Sequence, residues 1–324
     1  LKIPWVVIPV PVRFRSAALN LFPDVPEMQS FQVLREFLLK KWGGKESKFT
    51  GLQSGKDGAD ANSLFLCYDR FCIYIRGAAV EKGVYGKMSI RHILFDLDGT
   101  LLPMVQDEFV RYYMPLLAKA YIEKGVAIDP KKFIGSVWAG YEAMVKNDGT
   151  RTNREAFWSY IDRELPTSAE ESEQIALSFY GDAFNQAVCT TRPTPVADQI
   201  VKAAREEGME TYLATNPVFP RCATMNRIRW AGLDAEDFKV ITTYEDCVYC
   251  KPNPKYFQAI LEQFDLNPSE CLMVGNDVEE DLSIRSLGVK TYLVTDTMEN
   301  KKNLPIESEY VGTLAELLDF VKTL

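Results

Sequence analysis

The chain has 324 residues, and its 47% hydrophobic and 25% charged residues are typical proportions for a globular protein. A formal net charge of −8 argues against a nucleic-acid or membrane partner, because both of those surfaces are polyanionic, and no apolar run approaches the roughly 20 residues that cross a bilayer. The seven cysteines are irregularly spaced, which indicates reduced thiols and a cytoplasmic location rather than a secreted disulfide framework.

Residues 1–87 differ in charge from the rest of the chain. They hold 13 Lys and Arg against 8 Asp and Glu, a balance of +5, whereas residues 88–324 hold 24 against 37, a balance of −13. Such an asymmetry suggests parts of different origin or task. Residues 31–42 have the spacing of a short amphipathic helix, residues 43–62 the composition of a linker, and residues 64–76 that of a strand.

This N-terminal extension, residues 1–87, has two interpretations. It is either a small accessory domain of unknown role or the product of an over-extended gene start, with the natural chain beginning at Met88. The change in charge near Met88, just before the first clear strand of the remainder, favours the second interpretation.

The first clear strand is followed at once by two acids. Ile93–Phe95 is an apolar run of the kind found in buried parallel strands, and it leads into Asp96, Asp98 and Gly99. Gly99 allows a sharp turn, because glycine tolerates backbone angles that other residues avoid. Open α/β sheets bind ligands beyond the carboxyl ends of their strands. Two adjacent carboxylates repel each other, and a hard cation such as Mg²⁺ relieves that repulsion. This pair therefore predicts metal-assisted chemistry with one carboxylate as nucleophile.

The segment that follows has helical periodicity, and the segment after it alternates between helix and strand. Four consecutive helices are predicted at residues 107–124, 130–146, 153–164 and 168–188. Five further helices are then predicted at residues 195–207, 219–231, 254–264, 278–287 and 313–323, and four strands at residues 209–214, 238–242, 271–274 and 289–294. Such alternation indicates right-handed crossovers and a doubly wound parallel sheet, which places the chain in the α/β class.

Three later turns carry residues suited to binding a phosphoryl group or a metal. Thr215 and Asn216 follow a predicted strand, where a hydroxyl and nearby N–H groups can hold phosphoryl oxygens. Lys251, in a Lys-Pro-Asn-Pro run before a helix, supplies a fixed positive charge. Asp277 follows another strand, and Asp281 lies one helical turn further on.

Taken in order, these residues resemble the four motifs of the haloacid dehalogenase superfamily. The first is Asp96-Leu97-Asp98-Gly99-Thr100, and the others contain Thr215, Lys251 and Asp277. The resemblance covers about residues 90–324. It implies a Rossmann-like core, formed by residues 88–104 and 190–324, and a helical cap domain inserted after the first motif, at residues 105–189.

The resemblance also implies a role for each motif residue. Asp96 is expected to be the nucleophile, forming an aspartyl-phosphate, and Asp98 the general acid and base. Thr215, Asn216 and Lys251 are expected to hold the phosphoryl oxygens. The predicted magnesium ligands are Asp96, Asp277 and, through its backbone carbonyl, Asp98. Asp281 is expected to orient the site or to bind the metal through water, and Glu279 and Glu280 to be solvated or supporting.

The predicted function is therefore a Mg²⁺-dependent phosphatase acting on a small phosphorylated metabolite. A sugar phosphomutase would use the same core, and a non-catalytic binding or regulatory protein is a further alternative. The sequence indicates no oligomeric state. Candidate specificity residues in the cap are Arg111, Trp138, Tyr141, Lys146 and Arg151, with the turn at residues 146–150 facing substrate.

Two other features predict no chemistry. His92, the single histidine, lies inside the predicted first strand, where a structural role is expected. Cys247 and Cys250 form a CxxC pair, but zinc would need a second pair, so we interpret them as part of a plain loop.

Overall fold

The computed structural model describes residues 63–68, 71–76 and 90–324, and the chain divides into two compact units, Leu1–Tyr85 and Gly86–Leu324. In the first unit, strands β1 (Ser63–Tyr68) and β2 (Phe71–Arg76) pair antiparallel. The strand composition of residues 64–76 therefore corresponds to two strands rather than one. The helix expected at residues 31–42, the linker at 43–62 and the proposed start at Met88 lie outside the described residues.

The second unit is built on a parallel sheet of five strands, in the order β4-β3-β5-β6-β7. This confirms the predicted α/β class and parallel sheet. The sheet places β3 between the next two strands of the chain, with β4 on one side and β5 on the other. The strands are β3 (His92–Phe95), β4 (Glu210–Leu213), β5 (Cys271–Gly275), β6 (Lys290–Val294) and β7 (Tyr310–Gly312).

Four helices lie between β3 and β4, and four more accompany the rest of the sheet. The first four are α1 (Gln106–Glu123), α2 (Pro130–Val145), α3 (Asn153–Glu164) and α4 (Ala169–Gly181), and a 3₁₀ helix, Ala183–Thr190, follows them. The others are α5 (Pro195–Glu206), α6 (Arg221–Trp230), α7 (Pro254–Gln263) and α8 (Leu314–Val321). Short 3₁₀ helices span Ala235–Asp237, Pro268–Glu270 and Leu282–Leu287.

Side-chain caps explain where several of these helices begin. Asp129, Thr152 and Ser168 each accept a hydrogen bond from the backbone N–H three residues ahead, at the starts of α2, α3 and α4. At α3 the Glu155 carboxylate in turn accepts from the Thr152 N–H at 2.8 Å, which completes a capping box.

The core lies on both faces of the sheet. Ile93 and Phe95 of β3 are fully buried on the side that also packs α1 and the aromatic side chains of the inserted helices. Leu94, between them, is buried on the other side with residues of α7. Alternate side chains of β3 thus pack against helices on both faces of the sheet. This packing holds β3, and the turn that begins at Asp96, in a fixed position.

Three predicted elements differ in the structure. The helix expected at 168–188 ends at Gly181, where Asp182 leaves helical geometry (φ −128°, ψ −85°). Residues 238–242 run beside β4 but form a single bridge, Leu213 with Ile241, instead of a strand. The helix expected at 278–287 is replaced by turns and a 3₁₀ helix. The Asp277 carboxylate accepts hydrogen bonds from the Glu279 and Glu280 N–H groups, as a helix N-cap does. One turn further on, however, the Asp281 side chain is held by Lys251 and by the Asp277 N–H, so contacts made in the tertiary fold shape this segment.

Within the part of the chain that the structure describes, the helices fall short of the length and apolar character that crossing a membrane requires.

Candidate active site

The carboxyl ends of three adjacent strands meet at one cavity of about 810 Å³. All seven residues that the sequence singled out line this cavity: Asp96, Asp98, Thr215, Asn216, Lys251, Asp277 and Asp281. They come from turns after β3, β4 and β5 and from the turn before α7. Because β3 lies between β4 and β5, the site occupies the position where a doubly wound sheet opens a crevice.

The turn after β3 is shaped by Gly99 and held by Thr100. Gly99 has φ +86°, and a Cβ there would lie 2.3 Å from the Asn276 amide nitrogen, so a larger residue would clash. The buried Thr100 hydroxyl donates to Asp96 Oδ2 at 3.0 Å. The Asp96 N–H donates to the Val274 carbonyl of β5 at 2.9 Å, which fixes the start of the turn to the sheet.

Lys251 is a buried ammonium shared by two carboxylates. Its Nζ donates to Asp96 Oδ1 at 2.9 Å and to Asp281 Oδ1 at 2.7 Å. Burial by itself disfavours the charged lysine, but the carboxylates of Asp281 and Asp96 outweigh it and raise the pKa of Lys251 well above its usual range. Asp281 Oδ2 also accepts from the Asp277 N–H at 2.9 Å, so Asp281 ties the lysine to the turn after β5.

Arg227, which the sequence analysis did not single out, is ion-paired with Asp98. Its side chain is fully buried, Nη1 donates to Asp98 Oδ2, and Nη2 donates to the Thr224 hydroxyl at 3.1 Å. The guanidinium also lies 4.1 Å from the centre of the Phe219 ring. The arginine therefore fixes one oxygen of the second acid of the Asp-x-Asp pair.

The other oxygen of Asp98 is available. Among the described residues, Asp98 Oδ1 is buried and makes no hydrogen bond. Burial raises the pKa of the Asp98 carboxyl, Arg227 acts against that rise, and the neighbouring Asp96 carboxylate adds to it. An acid with a raised pKa and one free oxygen is suited to giving and taking a proton.

The turn after β4 carries Thr215 and Asn216. The Thr215 carbonyl accepts from the hydroxyls of Thr242, at 2.7 Å, and Tyr256, at 2.9 Å, which anchors the backbone beside the cavity. Asn216 donates its amide to Glu280 at 3.0 Å. The Asn216 side-chain oxygen is buried and has no partner among the described residues, so it can accept a hydrogen bond from a ligand.

Glu280 is part of this site rather than a solvated residue. It lines the cavity, and burial together with the Asp277, Asp281 and Asp96 carboxylates raises its pKa to about 8, against the opposing effect of Lys251. The sequence offered no signal for this, because an acid at a turn ordinarily faces solvent.

The oxygen donors around the cavity suit a hard divalent cation, although they do not form a complete cage. Among residues 90–324, no three His, Cys, Asp or Glu side chains are grouped closely enough to hold a metal. Asp96 and Asp277 both line the cavity. A metal held by these two would need main-chain, water or substrate oxygens as well, and that is the way Mg²⁺ is commonly bound.

The predicted specificity residues divide between the cavity and its surroundings. Arg111, Trp138, Tyr141 and Lys146 line the cavity, and Arg151 does not. Of the turn at 146–150 only Lys146 reaches it; a Cβ on Gly149 would lie 2.3 Å from the Tyr249 hydroxyl, so this part of the turn packs on a core loop.

The features for which no chemistry was predicted lie outside the lining of the cavity. His92 and Glu210 lie at the amino ends of β3 and β4, away from the cavity, and His92 Nδ1 is 3.3 Å from the Glu210 carboxylate. Cys247 and Cys250 are free thiols, and burial raises the pKa of each.

The chain is similar to known proteins in sequence and in fold. Residues 90–288 match the family model of the haloacid dehalogenase-like hydrolases. Pyrophosphatase PpaX from Bacillus cereus is 25% identical over 217 residues, which cover 67% of this chain and 88% of that protein. The HAD phosphatase from Thermococcus onnurineus is 19% identical, covering 71% of this chain and 97% of that one, with a TM-score of 0.46. CbbY from Rhodobacter sphaeroides is 17% identical, covering 70% of this chain and 96% of that one, with a TM-score of 0.48.

Proposed function

This chain belongs to the haloacid dehalogenase-like hydrolases, and from that premise we propose that it is a Mg²⁺-dependent phosphatase of small phosphomonoesters. The observation that carries the proposal is the convergence of Asp96, Asp98, Thr215 and Lys251 on one cavity at the strand ends. A nucleophile, a proton carrier, a hydroxyl and a fixed cation then surround a single phosphorus atom. In this proposal residues 105–189 form the cap over the site.

The first half of the reaction transfers the phosphoryl group to Asp96. A carboxylate oxygen of Asp96 attacks phosphorus, and the bond between phosphorus and the alcohol oxygen breaks. Asp98, protonated at its free Oδ1, gives that proton to the departing oxygen. The products of this half are the free alcohol and an aspartyl-phosphate, and Asp98 is left as a carboxylate paired with Arg227.

The second half regenerates the enzyme. The Asp98 carboxylate takes a proton from a water molecule, whose oxygen attacks the phosphorus atom of the aspartyl-phosphate. The bond to Asp96 breaks, inorganic phosphate leaves, and Asp98 again holds its proton. One acid thus serves both halves, which is why its free oxygen and its raised pKa matter.

The remaining groups stabilise charge. Lys251, bonded to Asp96, offsets the negative charge shared by the nucleophile and the phosphoryl oxygens, and Thr215 and Asn216 hold those oxygens. Asp96, Asp277 and the Asp98 backbone carbonyl would hold Mg²⁺, and the cation would neutralise phosphoryl charge and reduce the repulsion between the nucleophile and its target.

The location of the protein and the choice of test substrates follow from separate observations. We place the protein in the cytoplasm, because its cysteines do not form the pattern of a secreted protein. The similar protein from Bacillus cereus is named a pyrophosphatase, so phosphoric anhydrides belong beside phosphomonoesters in any substrate panel.

The test is the rate of phosphate release from acetyl phosphate and phenyl phosphate by wild type and by Asp96→Asn. We expect turnover with Mg²⁺, its loss in chelator, and a decrease of about 10³-fold or more in Asp96→Asn, because an amide is a poor nucleophile. Asp319→Asn makes the same chemical change on an exposed face of α8 and should leave the rate unchanged. Undiminished turnover by folded Asp96→Asn would overturn the proposal.

A further inference from the structure

The wall that the inserted helices contribute to the cavity is mostly apolar. Residues from 106 to 180 supply 24 of the lining residues, and 19 of these are aliphatic, aromatic, methionine or proline. A volume of about 810 Å³ is also far larger than a phosphoryl group, and it lies in the range of sites for whole organic ligands. The cavity therefore has an apolar part that the phosphoryl chemistry does not use.

One face of α2 concentrates this apolar character. Ile134, Val137, Trp138 and Tyr141 follow the i, i+3, i+4, i+7 spacing of a single helical face, and all four line the cavity. A face with that spacing is ordinarily covered by protein. Here Trp138 is 44% exposed and the other three are half-buried, so the face is accessible from the cavity.

The charged residues of the lining offer little to a second anionic group. Three lysines at the wall are each within 3.1 Å of a carboxylate, as the pairs Lys146–Glu142, Lys301–Glu299 and Lys302–Glu279. A substrate with a second phosphate would have to break such a pair. Arg111 is exposed on α1 and donates to the Asp107 carbonyl at 3.4 Å, so its charge is still open to an anion. The three paired lysines favour an uncharged group at the rest of this wall.

Building on the proposed phosphatase function, we propose that the alcohol part of the substrate is apolar and ring-sized, and that it packs against the α2 face of Ile134, Val137, Trp138 and Tyr141. Each buried methylene would then add favourable transfer free energy. A polyol of the same size would instead bring hydroxyls to a wall with few hydrogen-bond partners, and each unpaired hydroxyl is costly. The preferred substrates are aryl, cycloalkyl or long alkyl monophosphates.

A matched pair of esters tests this preference. Cyclohexyl phosphate and inositol monophosphate have the same ring size and differ in hydroxyl content, and acetyl phosphate reports the phosphoryl chemistry without an apolar group. We expect kcat/KM for cyclohexyl phosphate to exceed that for inositol monophosphate by about 100-fold or more. Along a series of n-alkyl phosphates, each added methylene should raise kcat/KM about fourfold until the cavity is full.

Two variants locate the preference on α2. Val137→Thr keeps the side-chain shape and replaces a methyl group by a hydroxyl, and Trp138→Ala removes an exposed ring. Each should lower the ratio of kcat/KM for cyclohexyl phosphate to that for acetyl phosphate about fivefold or more. Lys131→Ala, on an exposed part of the same helix outside the cavity, should leave the ratio unchanged.

The possible failures are distinguishable. Hydrolysis of acetyl phosphate with equal or better use of inositol monophosphate would overturn the apolar preference while the phosphatase function stands. If the ratio of kcat/KM for cyclohexyl phosphate to that for acetyl phosphate were unchanged in both α2 variants, the placement of the apolar group against α2 would be overturned. A lack of turnover on every substrate, acetyl phosphate included, would overturn the phosphatase function and this inference with it.

Discussion

Two opposing effects, burial and the Arg227 guanidinium, act on the pKa of Asp98. Burial makes its charged form unfavourable, while the buried Arg227 guanidinium makes it favourable again and fixes Oδ2. A charged pair inside a protein adds little net stability, but removing one partner leaves an unpaired charge. The pair is thus best understood as holding Asp98 in place with its other oxygen free.

A double-mutant cycle measures this coupling. At a pH at which Asp98 is ionised in the free enzyme, Arg227→Met should lower the free energy of unfolding by about 3–5 kcal/mol, because it leaves the Asp98 carboxylate buried without its cation. Adding Asp98→Asn to that variant should recover more than about 1 kcal/mol, since the residual charge is then removed. Urea unfolding of the four proteins provides the values, and Arg229→Met, on an exposed face of α6, is the control. Strictly additive effects would contradict the coupling.

Glu280 predicts a specific dependence of stability on pH. Its pKa is raised to about 8 in the folded protein, above the ordinary glutamate value of 4.5 that applies to the unfolded chain. The unfolded chain therefore releases this proton first as pH rises. The stability that the protonated carboxyl provides is complete below pH 4.5 and is lost as pH rises towards 8.

Replacing Glu280 with Gln should flatten that dependence, because the amide keeps an acceptor for Asn216 and does not titrate. In chelator, the free energy of unfolding of the wild type should fall between pH 5 and 8 by about 3–4 kcal/mol more than that of Glu280→Gln. Denaturant unfolding at several pH values gives the two curves, and parallel curves would show that Glu280 titrates normally.

At the scale of elements, α3 is fastened to the turns that carry the site. Its first residue, Asn153, is fully buried and donates through Nδ2 to the Pro217 carbonyl at 3.2 Å and the Tyr249 carbonyl at 3.3 Å. Its backbone N–H donates to the Cys247 carbonyl at 2.8 Å. These bonds connect α3 to the turn after Thr215 and to the loop before Lys251.

Asn153→Ala removes the side-chain bonds and leaves the buried Pro217 carbonyl and the part-buried Tyr249 carbonyl without this donor. We expect the free energy of unfolding to fall by about 1–3 kcal/mol. We also expect kcat/KM for phosphate release to fall about tenfold, since small displacements of Thr215 and Lys251 disturb the alignment on phosphorus. Thermal unfolding and steady-state kinetics test this, with Arg163→Ala on the exposed side of α3 as control. Wild-type kinetics in the alanine variant would argue against the connection.

The elements that the sequence predicted well are those that depend on local signals. The apolar run before Asp96 and the helical spacing of residues 107–164 are patterns of a few residues, and they predicted β3 and the bounds of α1, α2 and α3 closely. The prediction of a helix at 278–287 was wrong because the Asp281 side chain is held by Lys251, 30 residues earlier in the chain, and the apolar spacing does not reveal such a tertiary contact.

Arg227 was missed for a related reason. With Arg229 it lies in the last turn of a helix, where cations ordinarily face solvent and complement the helix dipole. Its partner, Asp98, is 129 residues away along the chain. Pairings of this kind depend on the tertiary fold, and the same applies to Asn153 and Glu280. The motif residues could be read from the sequence, whereas the residues that support them could not.

At the scale of the whole molecule, the site follows from the order of the strands. The chain leaves β3, forms β4 on one side and returns to form β5 on the other. Turns from all three strands therefore open on the same crevice, beneath helices that the chain inserts between β3 and β4. The resulting cavity has a polar part at the strand ends and an apolar part among the helices.

The central claim is that Asp96 carries the phosphoryl group during turnover. Borohydride reduces an acyl phosphate to an alcohol, so quenching the enzyme with borohydride during turnover should convert Asp96 into homoserine. Peptide mass spectrometry of the quenched protein makes the measurement, with the enzyme quenched in the absence of substrate as reference. We predict homoserine at Asp96 that depends on substrate. Phosphate release with Asp96 unmodified, or with homoserine at another aspartate, would contradict the mechanism.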